Sequence, residues 1–206
     1  MSSHPTLQVF YGISSPWAYF GARRAQAIAE RHGATLSLRP IRIIEANGGI
    51  PLRTRLAPRQ DYHALELARW REHLGIPLNL APRFYPCRTI EIAAKAVIAL
   101  QQAGLDAPAF SFGVQRALWA EERDIADVDT LRRIALATAG EAAVALVRDP
   151  APADVEAQWH ANLAEAERLG IFGTPTYVVD GEPFWGQDRL DFVDRRLQAL
   201  ARSTAS

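Results

Sequence analysis

Strand-like alternation is confined to the two ends of this 206-residue chain, and the stretch between them carries helical periodicity throughout. At the first end, Leu7, Val9 and Tyr11 alternate with polar or small neighbours, as in a half-buried strand. Leu36 and Leu38 alternate with Ser37 and Arg39 in the same way. Between the two runs, Ser15-Pro16 opens a helix to Arg31, with Trp17, Phe20 and Ile28 on one side and Gly33 as its stop. Serine caps free amides, and proline suits the first turn because its missing N–H would have no partner there. A helix between two short strands predicts a right-handed crossover and parallel pairing. At the other end, Thr176 to Val179 and Glu182 to Trp185 flank Asp180-Gly181, a two-residue hairpin signal. Gly186-Gln187 then leads into a helix from Asp188 to about Ala201, with Leu190, Val193, Leu197 and Leu200 as its apolar stripe.

The interior is a different material. Asn47-Gly48-Gly49 and the stretch from Pro51 to Pro58 predict a long loop rich in breakers and arginine. Helical periodicity follows in Asp61 to Leu74, Thr89 to Ala103, Ala107 to Trp119, Asp129 to Ala139 and Asp154 to Leu169. Gly75, Gly104, Gly140 and Gly170 stand where helices should stop. The expectation is an α/β protein in which residues 5–45 and 171–202 combine into one four-stranded sheet with helices on its faces. Residues 46–170 would form an all-helical insertion, and the tail from Arg202 to Ser206 should fray.

Charge narrows the function classes. Lys plus Arg and Asp plus Glu are equal at 23 each, with no basic block, so nothing offers nucleic acid a footprint. No apolar run approaches the roughly 20 residues that span a bilayer. Met1 to Pro5 lacks the charged-then-apolar order of a signal peptide, which points to the cytoplasm. Cys87 is the single cysteine, so no intrachain disulfide is available. The five histidines are scattered without zinc spacing and are expected at the surface or satisfied in the core, so no metal is expected.

Three local motifs carry chemistry. Ser15-Pro16-Trp17-Ala18 puts a hydroxyl at a helix N-terminus. Such a serine either caps its helix or donates to a bound anion, and a bond to a charged acceptor is worth roughly 1.5–3 kcal/mol. For a thiol that is about one to two units of acidity. Gly173-Thr174-Pro175-Thr176 precedes a strand. Asp188-Arg189 opens the last helix, where a guanidinium and helix amides suit a carboxylate, or where an aspartate simply caps.

On these residues, and on Gly170-Ile171-Phe172-Gly173 and Phe184-Trp185-Gly186-Gln187-Asp188-Arg189-Leu190, the chain resembles the 2-hydroxychromene-2-carboxylate isomerases. Ala57-Pro58-Arg59, Tyr62, Leu67, Arg69-Trp70, Gly75-Ile76-Pro77 and Phe84-Tyr85-Pro86 follow the same family's order. The resemblance implies a DsbA-like thioredoxin fold related to kappa-class glutathione transferases. In redox members of that fold the first helix opens on Cys-x-x-Cys; here Ser15 and Ala18 stand at the two cysteine positions, which excludes dithiol exchange.

The resemblance further implies glutathione as cofactor, with Ser15 as the catalytic donor to its thiol. The peptide before Pro175, at Thr174, would hold the glutathione cysteine like an added strand. Asp188 and Arg189 would take its γ-glutamyl end, and Arg59 a carboxylate. Candidates for the aromatic carboxylate substrate are Arg59 or Arg88 for its carboxylate, Trp17, Phe84 and Trp185 for an apolar wall, and Asn47. The implied reaction interconverts 2-hydroxychromene-2-carboxylate and trans-o-hydroxybenzylidenepyruvate in a cytoplasmic homodimer by reversible thiolate addition. A kappa-like transferase or thiol-dependent reductase, and a non-enzymatic DsbA-like binding protein, are the alternatives. The sequence departs from the family at Gly12, Arg59 and Arg88 and in a longer loop from Asn47 to Arg59, all where substrate identity would be set.

Overall fold

A computed structural model describes residues 4–203. Met1 to Ser3, on which part of the leader reading rests, and the last residues of the expected frayed tail lie outside the described residues. The first unit is β1 (Thr6–Tyr11), α1 (Pro16–Arg31) and β2 (Thr35–Pro40), with β1 and β2 parallel in the register Leu7↔Leu36 and Val9↔Leu38. The last unit is β3 (Thr176–Val179), β4 (Glu182–Trp185), a 3-10 turn over Gln187–Arg189 and α8 (Leu190–Ser203). The sheet order is β2-β1-β3-β4, with β3 antiparallel to both neighbours, so the two ends of the chain meet at its centre. Asp180 and Gly181 both take positive φ, at 51° and 76°, which is the turn that matches the twist of a two-residue hairpin.

Sheet alternation divides the core in two. Leu7, Val9 and Tyr11 of β1 face the larger cluster, where Tyr19, Phe20, Ile28, Phe110 and Trp119 are buried. Phe10 points the other way, into a smaller cluster with Ile41, Ala166, Ile171 and Val178. Every residue of β3 is buried, as expected of an inner strand covered on both faces.

The interior block contains α2 (Ala57–Leu74), α3 (Glu91–Gln102), α4 (Ala107–Trp119), α5 (Val128–Ala139), α6 (Glu141–Val144) and α7 (Ala153–Arg168). Two expectations change. The long loop ends at Leu56, because Pro58 falls in the first turn of α2, where a proline is accommodated; short 3-10 turns interrupt it at Glu45–Asn47 and Leu52–Thr54. The α6 turn was not expected, since four residues are too few to display helical periodicity. All five glycines named as stops, Gly33 among them, take positive φ. The Tyr11 hydroxyl meets Ser111 Oγ of α4 at 2.7 Å, so the sheet and the helical block share a buried polar contact as well as a continuous core.

Candidate active site

The site grows from the end of β1. Gly12, Ile13 and Ser14 turn the chain, the Ser15 amide donates to the Gly12 carbonyl at 2.9 Å, and Ser15 takes an extended conformation before Pro16 starts α1. Ser15 Oγ accepts the Ala18 amide at 3.3 Å, so it does cap the helix. A hydroxyl that accepts a bond keeps its own proton for a second partner. Capping and donation to an anion are therefore compatible in one side chain.

Facing this helix start is the loop before β3. The Thr174-Pro175 bond is cis. A β-carbon added at Gly12 would lie 3.7 Å from Thr174 Oγ1 and 3.9 Å from Ser15 Cβ, which puts both side chains next to that glycine. The Pro175 carbonyl accepts the Gly186 amide at 2.9 Å, joining the loop to the start of the last helix. Trp185 lies against Gly173 so closely that a β-carbon there would overlap the indole, and its ring meets Phe172 edge-on at 4.7 Å.

These elements and α2 border a cleft of about 720 Å³. Of the residues singled out in the sequence, Ser15, Trp17, Thr174, Trp185, Asp188 and Arg189 line it. Asp188 and Arg189 are exposed at its mouth and lie 3.5 Å apart. They belong to the 3-10 turn and α8 begins at Leu190, so Asp188 is not the N-cap of that helix. Pro175 is buried behind Thr174 and shapes the wall without lining it.

Four candidates stand elsewhere. Asn47 is turned inward: its side-chain NH2 lies within hydrogen-bond reach of the carbonyls of Ala166, Glu167 and Ile171, at 3.0–3.2 Å, and ties the loop to the end of α7. Arg88 is 73% exposed and pairs with Asp124 at 2.7 Å. Phe84 packs against the core under Arg83, and its neighbour Tyr85 reaches the cleft in its place. Arg59 shares a helical stripe with His63, Glu66 and Trp70, but sits exposed in the first turn of α2, beyond the cleft wall.

Sequence reasoning gave no site role to Arg42, Arg55, Tyr62, His63 and Tyr85, all of which line the cleft, although Tyr62 and Tyr85 stood among the residues that carry the family resemblance. Only the arginine-rich character of the Pro51 to Pro58 loop signalled Arg55, whose guanidinium is pinned to the Ile50 carbonyl at 3.0 Å. His63 had been set aside as scattered. Its Nε2 accepts the Trp17 indole N–H at 3.0 Å, and burial, aided by the nearby Arg55 charge, pushes its pKa below the ordinary value. The Tyr85 phenol is pushed up, chiefly by burial. Cys87 does not line the cleft; burial first, and Asp124 second, push its thiol up to about 11. Among the described residues no cluster of three or more metal-type ligands occurs, and no helix is long and apolar enough to cross a membrane.

A helix N-terminus facing a cis-proline across a mixed four-stranded sheet is the thioredoxin arrangement, here with serine at the helix start and no protein thiol in the cleft. That defines the class: a thioredoxin-fold protein without a redox dithiol. The family model described as a DSBA-like thioredoxin domain matches residues 6–198. A 2-hydroxychromene-2-carboxylate isomerase from Sphingobium xenophagum is 30% identical over 93% of this chain and 97% of its own length. A solved 2-hydroxychromene-2-carboxylate isomerase superposes with a TM-score of 0.72 at 22% identity, covering 97% of this chain and 98% of that one. The cytosolic disulfide reductase DsbM from Pseudomonas aeruginosa, solved with GSH, gives 0.65 at 20% identity over 94% of this chain and 99% of that one. The chain belongs to the DsbA-like thioredoxin family, and within it stands with the 2-hydroxychromene-2-carboxylate isomerases.

Proposed function

We propose that this chain is a glutathione-dependent isomerase of an aromatic 2-oxo acid, of the type that interconverts 2-hydroxychromene-2-carboxylate and trans-o-hydroxybenzylidenepyruvate. One observation carries the reading: Ser15 and Thr174 come together beside Gly12 at a cleft that no thiol of the protein lines. The residues fit glutathione. Among the described residues the Thr174 peptide group has no backbone partner, so it is available to pair with an extended peptide. Arg189 offers a guanidinium to a carboxylate and Asp188 a carboxylate to an ammonium. The near-complete coverage of the Sphingobium relative supports the same reading, and DsbM shows that a neighbour of this fold was solved with GSH.

Bound glutathione supplies a thiol able to add reversibly to a conjugated double bond, which allows rotation about it. Ser15 holds the proton of its hydroxyl toward that sulfur, favouring the thiolate. Arg55, one of the cations lining the cleft, takes the substrate carboxylate, in the role the sequence suggested for Arg59 or Arg88. Trp17 and Trp185 form apolar walls for the ring. The reading extends to a cytoplasmic homodimer acting in aromatic breakdown; light scattering of the purified protein checks the dimer.

The test is loss of trans-o-hydroxybenzylidenepyruvate with and without glutathione, with total free thiol followed in parallel. Turnover that requires glutathione and conserves it is expected. Thiol depletion in step with turnover would assign a transferase, and no turnover at all would refute enzymatic isomerisation of this substrate.

A further inference from the structure

Trp17 and His63 come from different parts of the chain, the first turn of α1 and the second turn of α2, and meet in the cleft beside Ser15. An indole N–H only donates, so the His63 Nε2 it meets at 3.0 Å presents a lone pair. A proton on that nitrogen would set donor against donor. The contact therefore selects the neutral imidazole with its hydrogen on Nδ1. The two rings stand at 90° with centroids 5.4 Å apart, and the indole also meets the Phe20 ring at 6.1 Å and 62°. Trp17 is thus held by two ring contacts and one hydrogen bond, as part of the cleft wall.

We propose that His63 is a positioning residue for the aromatic substrate: neutral, it fixes the Trp17 indole as a cleft wall beside Ser15, and protonated, it releases that wall. The aromatic identity of the ligand rests on the isomerase reading; the His63–Trp17 coupling does not. The charged groups facing the cleft are Arg42 and Glu45 after β2, Arg55 before α2, Glu66 on α2, and Asp188 and Arg189 across the mouth. They balance in sign, so the cleft offers imidazolium no net attraction. Tyr62 and Tyr85 also line the cleft, and burial pushes the Tyr85 phenol up, away from the range in which an imidazole titrates. Burial, with Arg55, keeps His63 neutral to lower pH than a free imidazole. The consequence has one sign: aromatic binding weakens as pH falls through that lowered value, and is indifferent to pH above it.

Two measurements test this. In ligand-free protein, the Trp17 indole N–H resonance, assigned by its loss in Trp17→Phe, should shift with pH in one acid-side step. It should stay fixed in His63→Gln, whose amide oxygen accepts the same bond without titrating. In steady-state assays with saturating glutathione, wild-type KM for the 2-oxo acid should rise in acid, while kcat falls alike in wild type and His63→Gln as the bound thiol is protonated. His63→Gln should keep the neutral-pH KM and flatten that rise, and His63→Leu should hold KM at every pH roughly five- to tenfold above the neutral wild-type value, the worth of about one hydrogen bond. An indole resonance that ignores pH in wild type, or the same acid rise in KM in wild type and His63→Gln, overturns the proposal. If no turnover is found, the isomerase reading falls by itself and the indole titration still decides the coupling of His63 to Trp17.

Discussion

Replacing Ser15 with alanine removes two things at once, and the structure gives each its size. The cap is a 3.3 Å bond from the Ala18 amide to Ser15 Oγ, longer than the usual spacing, so its loss should cost about 0.5–1 kcal/mol of stability, at the lower end for a cap. The second loss is the hydroxyl proton, which Oγ does not need for capping. Donated to a thiolate it is worth roughly 1.5–3 kcal/mol, or about one to two units of thiol acidity. Thr174 and Arg189 are untouched by the substitution and should still hold glutathione. The expected variant is folded, binds glutathione, and titrates the bound thiol at higher pH, with activity that partly recovers as pH rises. Thiolate absorbance, titrated in the binary complex, reads this directly. Ser14→Ala is the control, because Ser14 also lines the cleft but is not the helix cap. Identical thiol titrations in wild type and Ser15→Ala would refute activation by Ser15, even in a protein that binds glutathione well.

Cys87→Ser should leave turnover unchanged and shift stability by less than about 1 kcal/mol, since the thiol is half-buried, un-ionised at neutral pH and outside the cleft; a large loss of kcat in a folded variant would place the chemistry wrongly. Arg189→Ala should weaken glutathione binding by about tenfold, the low end for a charge-assisted bond because the guanidinium is 54% exposed, and calorimetry that finds unchanged affinity would remove it from the site. Gly21→Ala should destabilise the fold by about 1–3 kcal/mol in chemical denaturation, because a β-carbon there would overlap the buried Tyr177 hydroxyl and lie 3.2 Å from Gln187 Cβ; wild-type stability would show that α1 can shift freely against β3.

What the sequence determined by itself was local. Apolar alternation and turn chemistry defined β3 and β4 with their Asp180-Gly181 turn, and helical periodicity defined α4 to the residue, because each depends on neighbours only a few positions apart. The motifs at Ser15, Thr174 and Asp188-Arg189 were legible for the same reason, each being short and contiguous, and the cleft contains them all. Which side chains share that cleft was decided by tertiary structure. Trp17 meets His63 across 46 positions, a partnership no spacing rule encodes. Asn47 is drawn away by carbonyls at and just after the end of α7, more than a hundred residues later. Among neighbouring arginines, Arg55 lines the cleft while Arg59 lies beyond its wall, because Pro58 starts α2 early and places Arg59 in an exposed first turn, past the part of that helix that borders the cleft. A long side chain serves whichever surface its backbone is turned toward, and that direction is fixed only when the helical block packs onto the sheet.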